Sequence, residues 1–160
     1  MLEKPPLGLY IHIPWCIKKC PYCDFNSHQA EGSFEEDKYT RKLYDDFLVE
    51  LNRLSDRDRE LQSIFIGGGT PSLFKGDSFH FLLTNIRSHL KFSKHIEITL
   101  EANPGAVDSK RFQAYFDAGI NRLSIGVQSF NDKYLSKLGR IHTSNDAIKS
   151  IEIARAVGFD

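Results

Sequence analysis

Leu9-Tyr10-Ile11-His12-Ile13-Pro14-Trp15-Cys16-Ile17-Lys18-Lys19-Cys20-Pro21-Tyr22-Cys23 runs an apolar strand straight into a cluster of thiols. Leu9, Ile11 and Ile13 alternate with Tyr10 and His12, so a strand here turns one face to a core and keeps a polar second face. Cys16, Cys20 and Cys23 are the chain's 3 cysteines. An odd, tightly clustered set argues against a disulfide framework and for a metal site in a reducing compartment. Structural zinc takes four protein ligands, whereas a cubane iron–sulfur cluster on three cysteines leaves one iron open to an exchangeable ligand. That open iron is where chemistry can occur. Trp15, just before the first thiol, reads as apolar packing that shields the site.

Working outward from this stretch, strand and helix alternate. Residues 9–13 form a first strand, and Ser33-Phe34-Glu35-Glu36 has the form of a capping box opening a long helix to about residue 54. A second strand over 63–66 ends at Gly67-Gly68-Gly69 and is followed by a helix over 79–89. A third strand over 96–100 precedes a helix over 109–118 closed by Gly119; a fourth over 122–127 precedes a helix over 145–157 stopped by Gly158. The segment 23–33 reads as a loop. Strand–helix repeats of this length predict an α/β fold with a parallel sheet. About four such units cannot close a barrel, and the last helix ends where a fifth strand is due. We therefore expect a partial (β/α) barrel, with residues 1–160 as the N-terminal part of a core domain in a C-terminally truncated copy of a larger protein. A complete small open sheet is the alternative.

Composition narrows the function classes. With 160 residues, 41% hydrophobic and 12% aromatic, the chain has the material for one domain with a real core. Its 21 basic residues cancel its 21 acidic ones, so there is no long-range field to draw in nucleic acid or an anionic membrane. Residues 1–6 lack the apolar core of a signal peptide, and no run approaches the roughly 20 apolar residues of a membrane span. A cytoplasmic location is expected.

Splitting each strand into its two faces brings polar groups together. Ile96, Ile98 and Leu100 share one face of the third strand, and Glu97, Thr99 and Glu101 the other; Leu123, Ile125 and Val127 likewise oppose Ser124, Gly126 and Gln128. A sheet covered by helices on both sides reads apolar on both faces, so this alternation favours a barrel or half-barrel with a polar inner face. Glu101, Gln128 and the loop Gly67 to Thr70 fall at strand C-terminal ends, where parallel α/β folds place their sites. Each has a plainer reading. Glu101 could be a solvated strand-end carboxylate or a loop cap, and Gly67-Gly68-Gly69-Thr70-Pro71 a tight turn; it fits neither a dinucleotide fingerprint nor a P-loop. Three glycines do let a ligand approach bare backbone. His12 reads as a hydrogen-bonded interior histidine, and Arg140 and His142 lie in a loop where either could be solvated.

The spacing Cys-x3-Cys-x2-Cys resembles the signature of the radical S-adenosylmethionine (SAM) superfamily. Leu9-Tyr-Ile-His-Ile-Pro-Trp-Cys16, Gly67-Gly-Gly-Thr-Pro71, Leu100-Glu-Ala-Asn-Pro104, Leu123-Ser-Ile-Gly-Val-Gln-Ser-Phe130 and Leu138-Gly-Arg-Ile-His142 together are similar to the oxygen-independent coproporphyrinogen III oxidase group. The oxidases themselves resemble Cys-x3-Cys-x2-Cys-x-Cys, whereas Phe25 stands at the last of those positions here. That departure resembles the haem chaperones of the HemW type.

The resemblance implies that Cys16, Cys20 and Cys23 hold a 4Fe-4S cluster whose fourth iron is chelated by SAM. It implies that Gly68, Gly69 and Thr70 take the methionyl amino group, with Tyr10 and Tyr22 beside the cofactor. Glu101 and Gln128 would contact SAM, and Arg140 its carboxylate. Two uses follow: binding haem and delivering it to an acceptor protein, or decarboxylating a porphyrinogen, the latter with an electron donor. A third reading is an inactive or structural metal-binding fragment.

Overall fold

The computed structural model describes residues 4–30, 32, 34–106 and 108–159. In chain order its elements are β1 (Leu7–Ile13), β2 (Trp15–Cys16), β3 (His28–Gln29), α1 (Glu36–Arg53), β4 (Leu61–Gly68), α2 (Gly76–His89) and β5 (Phe92–Ala102). There follow α3 (Ser109–Asp117), β6 (Arg122–Ile125), α4 (Asp132–Lys137) and α5 (Ser144–Val157).

Four strands pair in parallel in the order β1-β4-β5-β6, with Ile13 beside Gly68, Ile66 beside Leu100 and Ala102 beside Ile125. The order follows the chain without reversing, as in a barrel wall; a doubly wound sheet reverses at a switch point. The helices α1, α2, α3 and α5 touch in succession. One face of the sheet meets them through Ile11, Ile13, Ile64, Ile66, Ile98 and Leu100, all buried with Phe47, Leu51, Phe79, Leu82, Ile86 and Phe112 from the helices. Each such side chain contributes about 1.5–3 kcal/mol on full burial. The other face is the polar one that the alternation predicts. Tyr10 stacks on Phe65 there, and Arg122 Nη1 donates to the buried Thr99 Oγ1 at 3.2 Å. The expected four strand–helix units of a parallel α/β sheet are thus present; β1, β4 and β5 run a few residues beyond the sequence reading, whereas β6 stops at Ile125, short of the expected residue 127, where the chain turns tightly with Val127 N donating to Ile125 O.

Three local expectations change. The expected capping box falls on Ser33, which lies outside the described residues; α1 starts at Glu36, and Glu35 in the N-cap position makes no side-chain cap bond. Glu36 instead reaches the next helix, where its carboxylate accepts from Lys75 N at 2.7 Å and Ser78 Oγ at 2.6 Å. A cap lent across 39 residues satisfies donors at the start of α2 that its own sequence leaves open. The loop after Cys23 contains β3, which pairs in parallel with β2. Residues 132–137 form the short helix α4, capped by the Asn131 side chain.

Behind the thiols, Trp15 stacks on Phe34 at 5.0 Å and meets the edge of Tyr39 at 4.4 Å, with Phe74 at the centre of the cluster. Trp15 is packing, as its position in the sequence suggests. Among the described residues no helix is long and apolar enough to cross a membrane.

One buried hydroxyl ties α3 to this layer. Tyr115 donates to the carbonyls of Ser72 and Phe74 at 2.8 and 3.0 Å, from a fully buried position. Burial pushes its pKa up to about 12, so it remains a donor at any ordinary pH. Tyr115→Phe leaves these carbonyls short of a donor and should lower stability by about 1–3 kcal/mol. The measurement is the denaturant midpoint at unchanged m-value.

Candidate functional site

The loop from Cys16 to Ser27 is closed at its base by backbone. His28 N donates to Pro14 O at 2.7 Å and Ala30 N to Cys16 O at 2.9 Å, the bonds that make the β2–β3 pair. Within it Cys23 N donates to Cys20 O at 3.0 Å, and Lys19 Nζ spans the neck to Ser27 O at 3.0 Å and Phe25 O at 3.3 Å. His12 anchors the loop to β1. Its Nε2 bonds Asn26 O at 2.8 Å, which only a protonated nitrogen can do, so in the neutral ring Nδ1 accepts from the Tyr10 hydroxyl at 2.9 Å. His12 is hydrogen-bonded at both nitrogens, as expected of an interior histidine.

The glycine loop sits directly beneath. Gly69 N donates to Ile13 O and Thr70 N to Trp15 O, both at 2.7 Å, while Gly68 N donates to Glu101 Oε2 at 3.1 Å. A Cβ on Gly69 would lie 2.7 Å from the carbonyl oxygens of Pro14 and Trp15, and Gly68 has φ of 121°. Neither position admits a side chain. With these three N–H groups spent, the loop meets a ligand with acceptors.

One cavity of about 430 Å³ collects the candidates. Cys16, Cys20, Cys23, Tyr22, Gly68, Gly69, Thr70, Glu101, Gln128 and Arg140 all line it, and Phe25 stands at its edge with 59% exposure. The three thiols are free of disulfides. Among the described residues no three His, Cys, Asp or Glu side chains converge on a single ion position. A cubane cluster takes each thiolate on a different iron, so the set of three free thiols over a loop of acceptors fits that group.

Tyr10 is the exception. It is 57% exposed, lies outside the cavity lining and reaches the site only through His12. Glu101 is half-buried, and burial raises its carboxyl above the ordinary range, against the lowering influence of the Gly68 N–H and His12. Burial likewise raises the Tyr22 hydroxyl, with Arg140 pulling the other way.

Arg140 and His142 are not solvated loop residues. Arg140 Nη2 donates to Asn103 Oδ1 at 2.6 Å and Gly126 O at 2.8 Å, and Nη1 to Cys20 Sγ at 3.6 Å; Nε is buried without a partner. His142 is buried, with Nε2 donating to Val127 O at 3.0 Å. Sequence reasoning missed Asn103 as a site residue, although it stands two residues after Glu101 and could have been read as part of the same strand end.

Comparison with known proteins matches this geometry. Residues 10–160 match the radical SAM superfamily. The chain is 51% identical over 161 residues to the heme chaperone HemW of Haemophilus influenzae, covering 99% of this chain and 42% of that protein. It is 48% identical over 159 residues to heme chaperone HemW of Escherichia coli, again covering 99% and 42%. Among solved structures, coproporphyrinogen III oxidase (HemN) from Escherichia coli superposes with a TM-score of 0.85 at 28% identity, covering 96% of this chain and 35% of that one. The chain thus spans about two fifths of the length of these curated relatives. On the match across residues 10–160, the chain belongs to the radical SAM superfamily.

Proposed function

We propose that this chain is the cluster- and SAM-binding part of a haem chaperone of the HemW type, working in the reducing cytoplasm. The observation that carries the reading is the single cavity in which three free thiols face the glycine loop, Glu101, Gln128 and Arg140. The relatives' names supply the haem function. Residues 1–160 are then the N-terminal part of a radical SAM core.

In this reading Cys16, Cys20 and Cys23 each hold an iron of a 4Fe-4S cluster. Bound with SAM, such a cluster supplies an electron that cleaves SAM to methionine and a 5′-deoxyadenosyl radical. The chain's own residues bind and orient. The carbonyl side of Gly68, Gly69 and Thr70 receives the methionyl amino group, because the N–H side is committed within the fold. Glu101 accepts hydrogen bonds as a carboxylate, and the Gln128 amide both donates and accepts. Arg140, with Nε unpartnered, brings positive charge for the SAM carboxylate, and its Nη1 donates to the Cys20 sulfur. The packed Trp15 layer backs the thiols, of which Cys16 is buried.

The likeness to HemN favours a second reading, porphyrinogen decarboxylation with an external electron donor. Phe25 weighs against it, placing an exposed apolar ring at the cavity edge where the resemblance to the oxidases requires a thiol. Haem binding without turnover is therefore the expected outcome. The assay is haem titration by absorbance alongside anaerobic incubation with coproporphyrinogen III and SAM; sustained conversion without haem binding would restore the enzyme.

Anaerobic reconstitution with iron and sulfide, followed by one-electron reduction with dithionite, should yield a 4Fe-4S signal by electron paramagnetic resonance, and Cys20→Ala should abolish it. Stoichiometric zinc with no cluster signal would sink the assignment. SAM affinity should also depend on pH through Glu101. A carboxyl raised by burial accepts fully only above its folded pKa, so affinity is present at neutral pH and lost as pH falls, beginning above the ordinary glutamate value of about 4.3. Calorimetric titration against pH checks this, with Glu101→Gln giving weaker binding and no such fall.

A further inference from the structure

Gln128 has φ of 64°, the one non-glycine residue at positive φ among the described residues. The chain closes a γ-turn around it, with Ser129 N donating to Val127 O at 2.8 Å. A γ-turn of this hand is rare and strained, and persists only where the surroundings over-determine it. Just before it, Val127 N donates to Ile125 O at 2.8 Å, so two tight turns meet at Val127.

Two side chains from the 138–142 loop hold consecutive carbonyls of this segment. Arg140 Nη2 takes Gly126 O, and His142 Nε2 takes Val127 O, which thereby accepts twice. His142 is 3% exposed. A carbonyl can only accept, so Nε2 carries the hydrogen and Nδ1 is bare, buried and without a partner. Burial holds the imidazole below its usual pKa; the Val127 carbonyl and Asp146 oppose this, and the Arg140 charge reinforces it. A buried unsatisfied nitrogen is a cost the fold carries in order to keep the ring there. The backbone of His142 is fixed as well. Thr143 next to it forms a reciprocal capping box with Asp146 at the start of α5, and Gly105 lies against its Cβ.

We propose that His142 is the positioning residue for Gln128: its hydrogen bond to the Val127 carbonyl holds the strained turn that keeps Gln128 in the cavity wall. Without this bond the turn relaxes toward negative φ and carries the Gln128 side chain off the wall. The inference rests on the reading of this wall as the SAM site.

The test uses cluster-loaded protein, with iron content as the control for loading. His142→Phe keeps the ring volume and removes the donor, and should weaken SAM binding about tenfold, the scale of one hydrogen bond with the strain it supports. His142→Gln places an amide N–H near the Nε2 position and should restore affinity to within about threefold, as a conservative donor replacement. In a Gln128→Ala background His142→Phe should have no further effect, because what it positions is gone. A second readout does not involve SAM: with selectively 15N-labelled glutamine in the metal-free protein, the Gln128 side-chain amide signal, assigned by its loss in Gln128→Ala, should move in His142→Phe and return in His142→Gln. Should His142→Phe not fold, His142→Asn, too short to reach Val127, is read in the same way. Equal weakening of SAM binding with and without Gln128, or an unmoved Gln128 signal, overturns the proposal. A moved signal with SAM affinity indifferent to Gln128→Ala upholds the positioning and overturns the SAM reading of this wall.

Discussion

The site depends on one close approach of backbone to backbone. Gly69 lies so near Pro14 and Trp15 that a single added carbon would overlap their carbonyl oxygens. The bonds from Gly69 N to Ile13 O and from Thr70 N to Trp15 O, both 2.7 Å, extend the β1–β4 pairing past the ends of both strands. That extension fixes where the chain turns at Trp15, hence where Cys16 stands. It also fixes the one-turn helix Pro71–Leu73, whose Ser72 then accepts through its carbonyl from Arg111 and Tyr115 and through Oγ from Asn103 N. From Asn103 the chain of contacts returns through Arg140 to Cys20. The thiol loop and the far wall of the cavity are referred to the same few atoms.

Much of this was legible in the sequence, and the parts that were not have a common cause. Strand faces could be read because side chains alternate strictly, and Ile98 and Leu100 are buried while Glu97 and Glu101 are not. The thiol cluster, glycine loop, Glu101 and Gln128 could be placed at one site because each is local in the chain or reads as a strand end, whereas Arg140 joined them only through the family resemblance. What escaped is what other segments decide. Arg140 takes its partners from the residues just after β5 and β6 and from the thiol loop, and His142 packs against the turn at Gly105, so nothing near either residue announces its burial. The six-residue α4 and the two-residue β2 and β3 are too short to show a period. Tyr10 was assigned to the cofactor from its motif, yet its ring is spent on Phe65 and its hydroxyl on His12. Glu36, which the sequence offered as one half of a local cap, gives its carboxylate to donors at the start of another helix instead.

That last substitution of partners changes how the layer of helices can come apart. A helix capped by its own N-terminal residue can fray alone, and its first turn then sets its own local stability. The first turn of α2 is held by a carboxylate that belongs to α1, and the turn just ahead of α2 is held by a hydroxyl that belongs to α3. Opening any one of the three exposes a polar group that another has lent or borrowed. The helices over this half of the sheet are therefore one cooperative unit, and the strand ends carrying Gly69 and Glu101 share in its stability rather than in that of a single βα repeat.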